Sequence, residues 1–236
     1  MDRRILAFIP ARGGSKGLAR KNVLPLHGKP LIAWTVGQAR GSSLIDEIMV
    51  STDDPEIAGI AEQMGVPVPF LRPPELARDD SPVSDAVFHA LDWLEGKGRR
   101  FDLIVLLEPT SPLRKRHDID DAIRLFLAHE EEADSLVSVG EIHLENPHIA
   151  KNVENGFVKP FLPSGNLKYH RQQLNTVYFP YGVVYMSKVG AFRKTRTFYQ
   201  ERTLAYPIER WQNYEVDDRY DLICISAVME AMKGEF

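Results

Sequence analysis

The chain has 236 residues, 44% of them hydrophobic and 26% charged, and a net charge of −4. That balance excludes a disordered chain and a surface that binds nucleic acid through overall positive charge. One cysteine excludes an internal disulfide, and no apolar run approaches the ~20 residues of a membrane span, so a cytoplasmic enzyme or binding protein of one domain is expected.

Residues 4–10, RILAFIP, read as a first strand, and residues 30–40 as a helix with Pro30 in its first turn. Residues 46–54 give a second strand and 55–65 a helix, capped by Asp54 and stopped at Gly65. Residues 66–72, VPVPFLR, read as a proline-interrupted strand, and 84–98 as a helix. The run DLIVLLE, residues 102–108, is apolar enough for a central strand covered on both faces. A helix over 118–132 and a strand over 134–141 follow. This alternation predicts a mostly parallel α/β sheet flanked by helices. From about 142 to 180 the rhythm breaks into turn-formers and aromatics, with Asn155-Gly156 as a hairpin turn. That stretch reads as an inserted dimerisation arm. Residues 181–187 and 203–209 read as strands rejoining the sheet, and 218–234 as a closing amphipathic helix in which Cys224 is expected to be a small buried hydrophobe.

Four stretches carry chemistry. PARGGSKGLARKN follows the first strand, with three glycines and the cations Arg12, Lys16, Arg20 and Lys21. Glycines let backbone N–H groups approach a ligand, and the cations neutralise phosphate. The loop lies at the ligand-binding edge of an open α/β sheet. It is neither a Walker A loop nor a dinucleotide fingerprint. LEPTSPLRKRHD brings Glu108 off the apolar strand at the same edge. In NYEVDD, Glu215 and Asp217 share a face if the segment is extended, and two carboxylates beside a phosphate loop suggest Mg²⁺. RPPELARDDSPVSD, residues 72–85, is a Pro-rich irregular loop that leads into a helix and, beside the first loop on the same sheet edge, is able to hold a base through backbone groups. The histidines show no metal-ligand spacing.

Together IPARGGSKGLARKN, GKPLIAWT, VSTDD, RPPELARD, EPTSPLR, RQQL with PYGVVYM, and YEVDD resemble the acylneuraminate cytidylyltransferase (CMP–sialic acid synthetase) family along essentially the whole chain. The resemblance implies a Rossmann-like nucleotidyltransferase fold in a single domain, 1–236, and a homodimer formed through the inserted arm. It also implies Mg²⁺-dependent transfer of CMP from CTP to a nine-carbon 2-keto sugar acid. By position, Arg12, Lys16 and Lys21 resemble the triphosphate-binding residues, Asn22 a ribose contact, and Arg72, Ser81 and Val83 the cytosine-recognising residues. Asp217 resembles the principal metal ligand and Glu215 the second acid. Glu108 stands at a sugar-contacting position, Arg171 of the arm would face the sugar carboxylate of a partner copy, and Tyr185, Phe198 and Tyr199 would shape the sugar pocket. Three positions depart from the family pattern: Glu108 for Gln, Tyr181 for Asn, and Glu-x-Asp for Asp-x-Asp. The competing readings are a nucleotidyltransferase for a 3-deoxy-octulosonate or a sugar-1-phosphate, and an inactive nucleotide-binding homologue.

Overall fold

The computed structural model describes residues 3–15, 17–143, 145–162 and 175–236. Six strands form the central sheet: β1 (Ile5–Pro10), β4 (Glu47–Ser51), β5 (Leu103–Leu106), β6 (Ser135–Glu141), β9 (Tyr178–Lys188) and β10 (Thr203–Pro207), in the order β10-β6-β9-β5-β1-β4. β1 pairs parallel with both β4 and β5, and β10 parallel with β6. Only β9 runs against its neighbours, pairing antiparallel with β5 and β6. The mostly parallel sheet expected from the sequence is therefore present, and it carries an antiparallel strand delivered by the inserted segment.

The strands are apolar runs because helices cover both faces. β1 and β5 are buried along almost their whole length. One core layer joins Ile9, Val105 and Val184 to Ile32 and Val36 of α1 (Leu31–Gly41), Ile57 of α2 (Pro55–Gln63) and Ile123 of α4 (Asp118–Ala128). The opposite layer packs Leu6, Phe8 and Ile104 on Ala86, Val87 and Leu94 of α3 (Val83–Gly96) and on Phe192 of α5 (Val189–Thr195). Each of these buried Val, Leu, Ile and Phe side chains contributes roughly 1.5–3 kcal/mol. A third cluster seats Ile225 and Met229 of α6 (Arg219–Ala231) on Leu31 and Leu26. Leu26 lies in the small hairpin of β2 (Pro25–Leu26) and β3 (Lys29–Pro30). Asp54 caps α2 through its side chain, as expected, and Asp218 caps α6 in the same way.

Two expectations are corrected. Residues 66–72 do not form a strand. Pro67 and Pro69 have no N–H to give a ladder, and the segment instead runs past the sheet edge, with Arg72 N donating to Thr52 O at 2.6 Å. Cys224 is exposed, not buried. The inward stripe of α6 is Ile225 and Met229, one turn apart, which turns the preceding Ile223 and Cys224 outward.

Part of the inserted segment forms a second, separate ladder. β7 (Lys151–Glu154) and β8 (Phe157–Pro160) pair antiparallel around Asn155 and Gly156, both at positive φ (52° and 82°), as the expected hairpin turn requires. All eight strand residues are exposed. Among the described residues, no helix is long and apolar enough to cross a membrane.

Candidate active site

The C-terminal ends of β1, β4 and β5 deliver three loops to one edge of the sheet. The glycine-rich loop folds back onto β4 and onto the segment before α6. Gly13 N donates to Asp53 Oδ1 at 2.9 Å, and Asn22 Nδ2 donates to Arg12 O at 2.9 Å, which pins both ends of the loop. Gly17 packs against the backbone of Asp217, and a Cβ there would lie 2.5 Å from that carbonyl oxygen. Lys21 Nζ lies 2.9 Å from Asp217 Oδ1, and Arg12 pairs with Asp79 at 2.7 Å. Arg20 turns away to the start of α2, where it meets Asp54 and Glu56. Arg12, Lys21, Asn22 and Glu108 together line a cavity of about 150 Å³.

Glu108 follows β5 and borders this cavity and a second one, of about 210 Å³. Its carboxyl is packed against Gly182, where any side chain would collide with Glu108 Oε2. Gly182 N also donates to Glu215 Oε1, which accepts a further bond from Ser111 Oγ at 2.9 Å. Burial, and after it the negative charge of Glu215, push the Glu108 carboxyl up to about 7, against the opposing pull of Arg114 and Lys21. Arg114 is fully buried, but its guanidinium serves main-chain oxygens and the Gln38 side chain rather than the Glu108 carboxylate. Nε donates to Val183 O at 2.5 Å, Nη2 to Gly182 O at 3.1 Å and to Glu108 O at 3.4 Å, and Nη1 to Gln38 Oε1 at 2.7 Å. Burial lowers its pKa to about 10, so it remains charged at neutral pH.

The second cavity is aromatic. The Tyr185 ring of β9 lies 6.1 Å from those of Phe198, tilted to it, and Tyr199, edge-on to it, and these three line the cavity with Glu108, Val83 and Arg196. Burial, and then Glu108, raise the Tyr185 phenol well above its usual range, so it stays a neutral hydrogen-bonding group. Arg196 holds a left-handed backbone (φ 57°) at the end of α5, with its guanidinium 4.3 Å from the Phe88 ring and paired to Asp85.

The structure brings together Arg12, Lys21, Asn22, Glu108, Glu215 and Asp217, and joins them through Glu108 to Tyr185, Phe198 and Tyr199. Val83 falls in the aromatic cavity. Arg72 is buried behind the loop, its Nε donating to Ser51 Oγ at 2.9 Å and its NH2 to Ser51 O at 2.5 Å. Ser81 sits in the turn before α3, its hydroxyl donating to Glu75 O at 2.8 Å. Lys16 and Arg171 lie outside the described residues. Ser111, Gly182, Asp79 and Arg196 were not singled out from the sequence, although EPTSPLR, PYGVVYM and RPPELARD contain the first three.

Among the described residues there is no cluster of three or more His, Cys, Asp and Glu side chains that could hold a metal ion by itself. Asp217 and Glu215 offer hard oxygen donors, the kind Mg²⁺ takes from one or two carboxylates when phosphate and water supply the rest. The Asp217 side chain is 79% exposed and so accessible, whereas one oxygen of Glu215 is already committed to Gly182 and Ser111.

A sequence model of the cytidylyltransferase family matches residues 6–227. The CMP-N,N'-diacetyllegionaminic acid synthase of Legionella pneumophila is 40% identical over 202 residues, 85% of this chain and 84% of that protein. The N-acylneuraminate cytidylyltransferase of Escherichia coli is 32% identical over 94% of this chain, which spans about half (51%) of that longer protein. In fold, the chain is similar to CMP:2-keto-3-deoxy-manno-octonic acid synthetase complexed with CTP, with a TM-score of 0.71 over 97% of this chain and 99% of that one at 16% identity. The chain belongs to the cytidylyltransferase family, in the group that contains the acylneuraminate and legionaminic acid enzymes.

Proposed function

We propose that this protein transfers CMP from CTP to the anomeric hydroxyl of a nine-carbon 2-keto sugar acid, releasing pyrophosphate. The observation that carries this reading is the place of Glu108, shared by a cation-lined cavity at the glycine-rich loop and an aromatic cavity on the other side. Two cavities meeting at one polar residue suit two substrates that must react end to end. In this reading Arg12 and Lys21 exchange their carboxylate partners for the triphosphate and neutralise the leaving pyrophosphate. Tyr185, Phe198 and Tyr199 hold the ring face of the sugar, and Glu108 a polar substituent near the junction. Catalysis is then mainly positioning and charge neutralisation. Asp217, with Glu215 behind it, would hold Mg²⁺, which when bound polarises the α-phosphate and lowers the pKa of the attacking hydroxyl. Lys16, Asn22, Arg72 and Ser81 keep the nucleotide-side roles stated above as part of the same proposal.

The proposal includes a homodimer. Val153, Phe157 and Val158 are 72%, 72% and 68% exposed on the β7–β8 hairpin, and Phe161 and Phe179 are exposed nearby. So large an apolar surface on one projecting element suits burial against a second copy, and this would bring Arg171 to the neighbouring sugar pocket.

The test is the purified protein with CTP, Mg²⁺ and a panel of acceptors, N,N'-diacetyllegionaminic, sialic, pseudaminic and octulosonic acids, scored for CMP-sugar and pyrophosphate. A CMP-sugar from one or more of the nine-carbon acids is expected. Product from octulosonic acid alone, or from none, would overturn the reading.

A further inference from the structure

A cavity of about 900 Å³ runs along the outer face of α1, and none of its lining residues borders either cavity of the candidate active site. Its floor is Ala33, Gly37 and Gly41, four residues apart and so on one face of the helix. Glycine inside a helix costs roughly 1 kcal/mol relative to alanine, yet the protein does not fill the space these glycines leave. A Cβ at Gly37 would meet only Met64 Cε at 3.8 Å, and one at Gly41 nothing within 4 Å. Ile60 and Met64 form one wall, Met229 and Phe236 the other, and Trp34 stands at the side with Phe236 edge-on to its ring at 6.4 Å.

The charge of the lining is one-sided. It contains His27, Lys29, Arg116 and Lys233 and no Asp or Glu, in a chain where acids outnumber Lys and Arg 33 to 29. Arg116 donates to Phe236 O at 3.1 Å, His27 is 3.0 Å from Ser226 O, and Lys233 meets Glu230 at 2.5 Å. Lys29 has no acidic partner among the described residues, and its ammonium lies 4.6 Å from the centre of the Trp34 ring. An apolar, partly aromatic trough under a positive rim is complementary to a ligand of the opposite charge with a flat apolar body.

We propose that this trough is a second ligand site, remote from the nucleotide, for a small amphipathic anion. A flat ring system would lie over Gly37 beside Trp34, with one sulfonate, phosphate or carboxylate turned toward Lys29. The test is fluorescence titration with 8-anilinonaphthalene-1-sulfonate, with the uncharged 1-anilinonaphthalene as control. Saturable binding of one sulfonate per chain is expected. Gly37→Leu, which puts bulk into the trough from a position where a Cβ is in ordinary contact with Met64 Cε alone, should weaken it about tenfold or more, as should Lys29→Glu combined with Lys233→Glu. Both variants should retain the wild-type melting temperature within a few degrees and CTP-dependent turnover, whichever acceptor is used. Sulfonate binding unchanged in both variants, or equal affinity for the uncharged control, overturns the proposal. So does a wild-type oligomer that Gly37→Leu dissociates, since the trough is then filled by another copy of the chain. Fatty acids and aromatic carboxylates as competitors separate a chain-like from a ring-like natural ligand, and displacement by the fatty acid alone overturns the flat-ring assignment.

Discussion

Lys21 Nζ and Asp217 Oδ1 lie 2.9 Å apart although 196 positions separate them in the chain. The pair joins the glycine-rich loop to the acidic segment, and it is asymmetric, since the Lys21 side chain is 15% exposed and that of Asp217 79%. A pair with one partner so exposed adds only ~0–1 kcal/mol to stability. Each partner is therefore free to exchange the other for a ligand. Lys21→Ala should leave the melting temperature nearly unchanged and weaken CTP binding by about 1.5–3 kcal/mol, the range for a hydrogen bond to a charged group. Calorimetric titration with CTP checks this, and unaltered affinity removes Lys21 from the site. Asp217→Asn should fold normally, lose most turnover and bind Mn²⁺, a spectroscopic stand-in for Mg²⁺, more weakly in the presence of CTP. Unchanged Mn²⁺ binding would take Asp217 out of the metal site.

Gly17 and Gly182 hold the two halves of the site at backbone distance. A methyl group at Gly17 meets Asp217 O at 2.5 Å, and one at Gly182 collides with Glu108. Gly17→Ala should push the loop from the acidic segment and raise the KM for CTP with a small effect on melting. Gly182→Ala should disturb Glu108 and the bond from Gly182 N to Glu215, lowering kcat and costing about 1–3 kcal/mol in denaturant unfolding. Wild-type kinetics for both variants would show that neither approach matters.

Much of this arrangement is legible in the sequence. Arg12, Lys21 and Asn22 are neighbours in one motif, and the apolar run ending at Glu108 marks both the central strand and its exit edge. Arg114 was legible only in part. As the last residue of EPTSPLR it is a neighbour of Glu108 in the chain, but its burial and its bonds to the carbonyls of Gly182 and Val183, 68 and 69 positions away, depend on contacts that no local pattern shows. The outward placement of Cys224 was missed for a related reason. In a run as uniformly apolar as LICISAVM, the buried stripe is decided by what the helix packs on, here Leu26 and Leu31. Residues 66–72 have the composition of a strand, but two prolines remove the donors a ladder needs.

Arg114 gives a stability prediction. Arg114→Met removes a buried donor, takes the bond from Val183 O and leaves Gly182 O with only the long one from Glu108 N at 3.4 Å. Leaving a buried acceptor unsatisfied typically costs about 1–3 kcal/mol. Arg114→Lys should recover little, because one ammonium cannot span acceptors arranged for a planar guanidinium. Urea unfolding measures both, and a loss below about 1 kcal/mol for the Met variant contradicts the role.

The hairpin prediction concerns assembly. Phe157→Asp with Val158→Asp places charge on both faces of β8, all of whose residues are exposed, and should convert a dimer to monomer with little change in the circular dichroism of the chain. Light scattering reads the outcome, and a wild-type monomer that turns over CTP sinks the dimer proposal. Mixing Arg171→Ala with Lys21→Ala subunits is the sharper measurement. If each site draws on two chains, the mixture should recover activity that neither variant has alone.

Glu108 links the two cavities, and its protonation sets what it offers them. With its carboxyl pushed up to about 7, a large fraction is protonated at neutral pH and donates a hydrogen bond. In the unfolded chain the same group ionises near 4.3. Between these values the folded state holds the extra proton, so stability falls as pH rises from about 4 to 7 and levels off above, by an amount on the order of 3–4 kcal/mol. Glu108→Gln is neutral throughout and should flatten that part of the stability profile, measured by denaturant unfolding across pH. It should also remove a matching loss of activity above pH 7 if the protonated acid is the form that meets the sugar. Should activity instead rise with pH in the wild type and collapse in the Gln variant, the ionised carboxylate is the working form, and a cationic or hydroxyl-rich substituent on the sugar becomes its natural partner. An equal effect on every sugar of the panel would leave Glu108 a residue that holds Gly182 and Glu215 in place rather than one that selects the substrate.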